Sequence, residues 1–169
     1  MKILIFAGPR RTTDGRLTAM NRETTFDGDA PTPEDVVYDN LWVSHREFWL
    51  VAGSGPGADI TTAIPQEHSI TGSGEAVGIP TLREGRVNVT LSAWENPAPD
   101  AQGTPLGECQ ITVPDREVTL INVEGREPGP VLVLEAEGDY QVKVWRSEDR
   151  SSDAPEQYEI RVWPCPTSQ

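Results

Sequence analysis

Val131-Leu-Val-Leu-Glu-Ala-Glu-Gly138-Asp139-Tyr140-Gln-Val-Lys-Val-Trp145-Arg146, a polar loop, and then Tyr158-Glu-Ile-Arg-Val-Trp163 are the stretches that decide the fold. Both runs alternate with period two. Tyr140, Val142 and Val144 interleave with Gln141, Lys143 and Trp145, and Tyr158, Ile160 and Val162 interleave with Glu159, Arg161 and Trp163. Successive side chains of a strand point to opposite faces, so each run buries one apolar row and wets the other. The intervening Ser147-Glu-Asp-Arg-Ser-Ser-Asp-Ala-Pro-Glu156 has no apolar period and is broken by proline. The pattern predicts a long hairpin at the centre of a β domain.

Working outward, Arg86 to Trp94 alternates as cleanly, with Val87, Val89, Leu91 and Ala93 inward. Strands are expected at 107–113 and 117–123, joined by Pro114-Asp-Arg116, and a short edge strand at 75–79. Val36 to Ala52 reads as one strand, apolar on both faces at its ends and therefore central and covered, stopped by Gly53-Ser-Gly-Pro-Gly57. Fifteen glycines and fifteen prolines, scattered without period, would cut long helices repeatedly. Seven to nine short strands between turn signals predict an all-β, antiparallel two-sheet sandwich over residues 36–164. Residues 1–35, an N-terminal strand and an acidic linker (Asp27-Gly-Asp-Ala-Pro-Thr-Pro-Glu-Asp35), are expected to be partly mobile, and 165–169 to be a tail. Gly138-Asp139-Tyr140 matches the tyrosine corner of sandwich folds, where the phenol bonds to backbone as the chain crosses between sheets.

Charge is the strongest global property: 14 basic against 27 acidic residues, a net of −13. Such a chain repels phosphate backbones, which argues against direct nucleic-acid binding and fits a basic protein partner. No stretch approaches the roughly 20 apolar residues of a membrane span, and the start lacks a signal-peptide core, so a cytoplasmic location is expected.

The chemistry of catalysis is thin. Cys109 and Cys165 form neither a disulfide framework nor a metal cluster. A zinc site needs about four N/S donors, and the two histidines, His45 and His68, are not paired in sequence. A relay of Ser44, His45 and Asp39 is geometrically poor along one strand. Gly53–Gly57 lacks the lysine and Ser/Thr of a P-loop, and neither Asp27-Gly-Asp29 nor Glu148–Asp153 has the ligand ladder of an EF-hand. Neither an enzymatic activity nor a cofactor is expected.

What remains is a binding surface. Trp145 and Trp163 fall on the faces opposite the Tyr140 and Tyr158 rows, beside a loop carrying Glu148, Asp149, Asp153 and Glu156. If the tyrosine rows face the core, two indoles rimmed by carboxylates stand on an outer surface as a protein-interaction hot spot. The alternative is that both indoles pack beneath another strand or the N-terminal segment.

The run Gly138 to Trp145 with Gln157 to Pro164 resembles the C-terminal hairpin of competence protein J (ComJ)-like proteins, and Val43-Ser-His45-Arg-Glu-Phe48 resembles their first strand. That resemblance implies an inhibitor of a DNA-entry nuclease, or an immunity-type bacterial protein. Two functions follow: an acidic inhibitor or immunity-type partner that neutralises a basic enzyme such as a nuclease or toxin, or a structural, accessory sandwich whose acidity only keeps it soluble. A hydrolase or sugar-binding sandwich ranks last.

Overall fold

Two five-stranded sheets face one another across a single main core. The computed structural model describes residues 30–53, 58–124, 129–147 and 153–166. From Pro31 onward they belong to one compact unit. The N-terminal strand and nearly all of the acidic linker expected over 1–35 lie outside the described residues.

The strands are β1 Asp35–Val43, β2 Glu47–Ala52, β3 Thr71–Ser73, β4 Ala76–Pro80, β5 Gly85–Ala93, β6 Thr104–Val113, β7 Glu117–Ile121, β8 Leu132–Val133, β9 Gly138–Ser147 and β10 Glu156–Pro164. The first sheet has the order β1-β5-β10-β9-β6 and the second β3-β4-β2-β7-β8. All strand pairs are antiparallel except β5 with β10, which run parallel. The predicted hairpin is present as β9 and β10, in continuous register from Gln157 opposite Ser147 to Pro164 opposite Tyr140. Its tyrosine and valine rows face the core with Val87, Val89 and Leu91 of β5. Phe48 from the second sheet meets Tyr158 edge-on, ring centres 5.3 Å apart at 82°, a favoured aromatic geometry.

Tyr140 behaves as a sandwich corner: its hydroxyl donates to the Ala136 carbonyl at 2.7 Å. This ties down the crossing from β8 in one sheet to β9 in the other. No helix among the described residues is long and apolar enough to cross a membrane.

Two expectations are corrected. Val36 to Ala52 is not one strand. It breaks at Ser44-His45-Arg46 into β1, an edge of the first sheet, and β2, a central strand of the second. His45 and Arg46 both take φ of 59°, the left-handed pair of a type I′ turn, without the glycine or asparagine that usually announces one. Tertiary bonds hold the turn: Glu84 accepts from the His45 N–H at 3.1 Å, and the Arg46 carbonyl accepts from the Thr81 N–H at 2.8 Å. The apolar run at 75–79 is likewise no edge. It is β4, paired on both sides by β3 and β2 and buried throughout.

Candidate partner-binding surface

The sequence-predicted site rests on two indoles, and the structure places both in the interior. Trp145 and Trp163 do point away from the core, but they are only 2% and 6% exposed. The connection between β5 and β6 folds over this face. Arg161 donates to the Pro99 carbonyl, and Lys143 Nζ lies 2.6 Å from Asp100 Oδ1. The two cations then cover Trp145 and the neighbouring Trp94: Lys143 Nζ sits 5.0 Å from the Trp145 centroid, and the Arg161 guanidinium stands 5.4 Å from Trp145 and 5.0 Å from Trp94. An aliphatic stem with a charged head roofs an aromatic well, because the stem packs, the head stays wet and the ring quadrupole attracts the charge. The expectation of exposed indoles at Trp145 and Trp163 is therefore corrected. Beside Trp145 that cover includes the connection between β5 and β6, held down through Pro99 and Asp100.

Glu156 is also interior, 9% exposed. Its carboxylate accepts from the Leu82 N–H at 3.1 Å, the Arg83 N–H at 3.0 Å and the Tyr158 hydroxyl at 2.6 Å. Burial first, and then the bond to Glu156 and its charge, hold the Tyr158 phenol protonated well above its usual range, while Arg146 pulls the other way. Glu156 thus fastens the start of β10 to the chain following β4. Of the other acidic loop residues, Asp153 is exposed. Glu148 and Asp149 lie outside the described residues.

The exposed aromatics are elsewhere. Tyr38 is 74% and Trp42 55% exposed, on the outward row of β1, and Trp42 is the exposed member of the five tryptophans. They sit across from Thr90 and Arg86 of β5. Arg86 donates to Asn40 Oδ1 at 2.7 Å between them, and Asn40 in turn donates to Asn88. The alternation Val36, Tyr38, Asn40, Trp42 was legible in the sequence. What hid its exposure was the reading of Val36 to Ala52 as a covered central strand.

Beyond Trp42 the turn is polar. Ser44 donates to Glu124, and His45 Nδ1 lies 3.2 Å from Ser44 Oγ. The Ser44 bond is the main cause holding the Glu124 carboxyl below its ordinary range. Serine stands between histidine and carboxylate here, so its proton goes to glutamate and the imidazole activates nothing; the order is wrong for a nucleophilic relay. His45 and His68, far apart in sequence, do share the lining of a shallow cleft of about 220 Å³ with Arg46, Gln66, Thr81 and Leu82. Among the described residues, no group of three His, Cys, Asp or Glu side chains could hold a metal ion.

No family model matches the sequence, and no curated protein matches it significantly. Solved structures do. ComJ of Bacillus subtilis, an inhibitor of the DNA-degrading activity of NucA, superposes with a TM-score of 0.60 at 12% identity, covering 81% of this chain and 100% of ComJ. The fold is the ComJ fold. A second structure, that of crocagin biosynthetic gene J, superposes with a TM-score of 0.54 at 14% identity over 77% of this chain and 97% of its own. At these identities the likeness to both structures is one of fold alone.

Proposed function

We infer that this chain is a non-enzymatic, inhibitor-type protein that binds and neutralises a basic enzyme, a nuclease of the NucA kind. The observation that supports this most is a sandwich sharing its fold with the whole of ComJ while carrying a net charge of −13. A nuclease must present cationic groups where the phosphates of its substrate lie. An acidic protein is drawn to the same groups by long-range attraction, which raises the association rate and weakens with salt. The loop carboxylates Glu148, Asp149 and Asp153 belong to that steering field. Glu156 serves it from within, by fastening the loop's second end to the chain after β4, and Trp145 and Trp163 lie behind in the framework of the hairpin. An immunity-type role in the cytoplasm is the same chemistry directed at a toxin.

The test is DNA degradation by a purified NucA-type nuclease titrated with this protein. Activity is expected to fall to a stoichiometric end point at low salt, with an inhibition constant that rises steeply as salt increases. Full nuclease activity at saturating protein would overturn the proposal.

A further inference from the structure

A sheet edge offers unpaired backbone N–H and C=O groups to any strand that reaches it, and natural proteins guard such edges with short strands, bulges, prolines, charges or covering segments. Among the described residues the two sheets have four edges, and three of them are guarded. β8 has two residues and β3 three. β6 carries Pro105 and a register shift between Pro105 and Gly107, and it is bonded across to the other sheet's rim through Ile70 N–H to the Leu106 carbonyl and Thr112 N–H to the Gly74 carbonyl.

β1 differs. It is nine residues long, Asp35-Val-Val-Tyr-Asp-Asn-Leu-Trp-Val43, with no proline and no lysine. It pairs with β5 in unbroken register from Asp35 opposite Ala93 to Val43 opposite Gly85. Among the described residues no strand pairs with its other side. Asn122 donates to the Trp42 carbonyl at 2.9 Å and closes off its end. The same strand carries the two exposed rings, Tyr38 and Trp42, about 13 Å apart by strand rise, on one face.

Charge selects the occupant. The chain carries a net charge of −13; Asp35 lies on β1 itself, and Glu84 and Glu124 meet the turn that follows Trp42. Arg46 belongs to that turn, and Arg86 is engaged with Asn40. A second copy of this chain is disfavoured, because it carries the same net charge of −13 and two such chains repel one another. A lysine- or arginine-bearing strand meets opposite charge instead.

We propose that the free edge of β1 is the docking site for an extended cationic segment of a protein partner. The segment adds as a further strand beside β1, with Tyr38 and Trp42 as its aromatic anchors. Strand addition supplies main-chain bonds and the rings supply selectivity, while tryptophan and tyrosine are the residues over-represented among binding hot spots. The proposal rests on the inhibitor-type function for the partner's identity, and it locates the contact.

The experiment uses the full chain, a NucA-type nuclease and acrylamide, a neutral quencher that reaches exposed indoles only. In the free protein the accessible fluorescence is expected to come from Trp42 and to disappear in Trp42→Phe. Saturating nuclease should shield it, and Tyr38→Ala/Trp42→Ala should weaken binding by about 30-fold or more. Ile64→Ala, which trims an equally exposed side chain outside β1, should change affinity less than twofold. Nuclease binding with Trp42 still open to acrylamide, or an unchanged affinity in the double variant, overturns the docking site and leaves the inhibitor function standing. No binding by the wild-type chain overturns both. Shielding of Trp42 in the free protein overturns the site in favour of another part of the chain, or of a second copy if it grows with protein concentration.

Discussion

Replacing Glu156 by alanine separates a structural carboxylate from a partner-facing one. In the native protein three donors converge on it, the Leu82 and Arg83 N–H groups and the Tyr158 hydroxyl, at 3.1, 3.0 and 2.6 Å. Tyr158 has a second acceptor in the Pro80 carbonyl at 3.2 Å, so two backbone donors lose their partner outright. An unsatisfied buried donor costs about 1–3 kcal/mol. Arg83 also loses a counter-charge 3.9 Å away, but its side chain is 44% exposed, so that contribution is small. The sum is a destabilisation of about 3–5 kcal/mol, in line with breaking a buried charged network. For a domain of this size that lowers Tm by roughly 10 °C. Glu156→Gln keeps one acceptor oxygen and should cost about 2 kcal/mol, while Glu137→Gln, at an exposed position, should stay within about 0.5 kcal/mol. Urea unfolding followed by tryptophan fluorescence gives all three values at matched m. A Glu156→Ala midpoint equal to wild type would refute the reasoning, since it would mean that water already serves these donors.

Gly78→Ala should destabilise by about 3 kcal/mol or more in the same unfolding assay, because the added methyl would stand 1.9 Å from the Ala63 carbonyl oxygen, which also accepts from the Trp49 indole. Tyr140→Phe removes the corner bond to Ala136 and should cost about 1–1.5 kcal/mol by urea midpoint, without changing the far-ultraviolet spectrum. Burial, with Glu108 adding to it, pushes the Cys109 thiol up to about 12, against about 8.5 for a free thiol. Its contribution to stability is present below about pH 8.5 and is lost as pH rises toward 12, because the unfolded chain gives up a proton that the folded chain keeps. Iodoacetamide at pH 9 should therefore modify Cys165 faster than the partly buried Cys109, and urea unfolding should bring the two rates together; equal rates in the folded protein would contradict the raised Cys109 thiol.

Local periodicity made β5, β9 and β10 legible, along with the corner at Tyr140, since these strands have one dry and one wet face and the alternation is written directly into Tyr140-Gln-Val-Lys-Val-Trp145. The split between β1 and β2 was not legible. His45 and Arg46 are not the glycine or asparagine that announces a left-handed turn, and the bonds that hold it come from Glu84 and Thr81, remote in sequence. The candidate site suffered from the same blindness. A period-two pattern reports which side of a strand faces out, not whether anything lies on top of it. Trp145 and Trp42 both face out; a loop bearing Pro99 and Asp100 closes over the neighbourhood of the first, and the second is open. Glu156 looked like one more solvated loop charge because its donors come from the residues after β4, which no local pattern brings near it.

The parallel pairing of β5 with β10 has a kinetic consequence. β10 is the last strand in sequence, yet it sits in the middle of its sheet, between β5 and β9. Until it inserts, the β1–β5 ladder and the β6–β9 ladder are separate ribbons, each with a raw inner margin rich in valine. Contacts of such long sequence separation form slowly, and unsatisfied margins of this kind are where folding intermediates stick to one another. Truncations or substitutions that delay arrival of Glu156–Pro164 are therefore expected to appear first as lost soluble yield during refolding, before any loss of affinity.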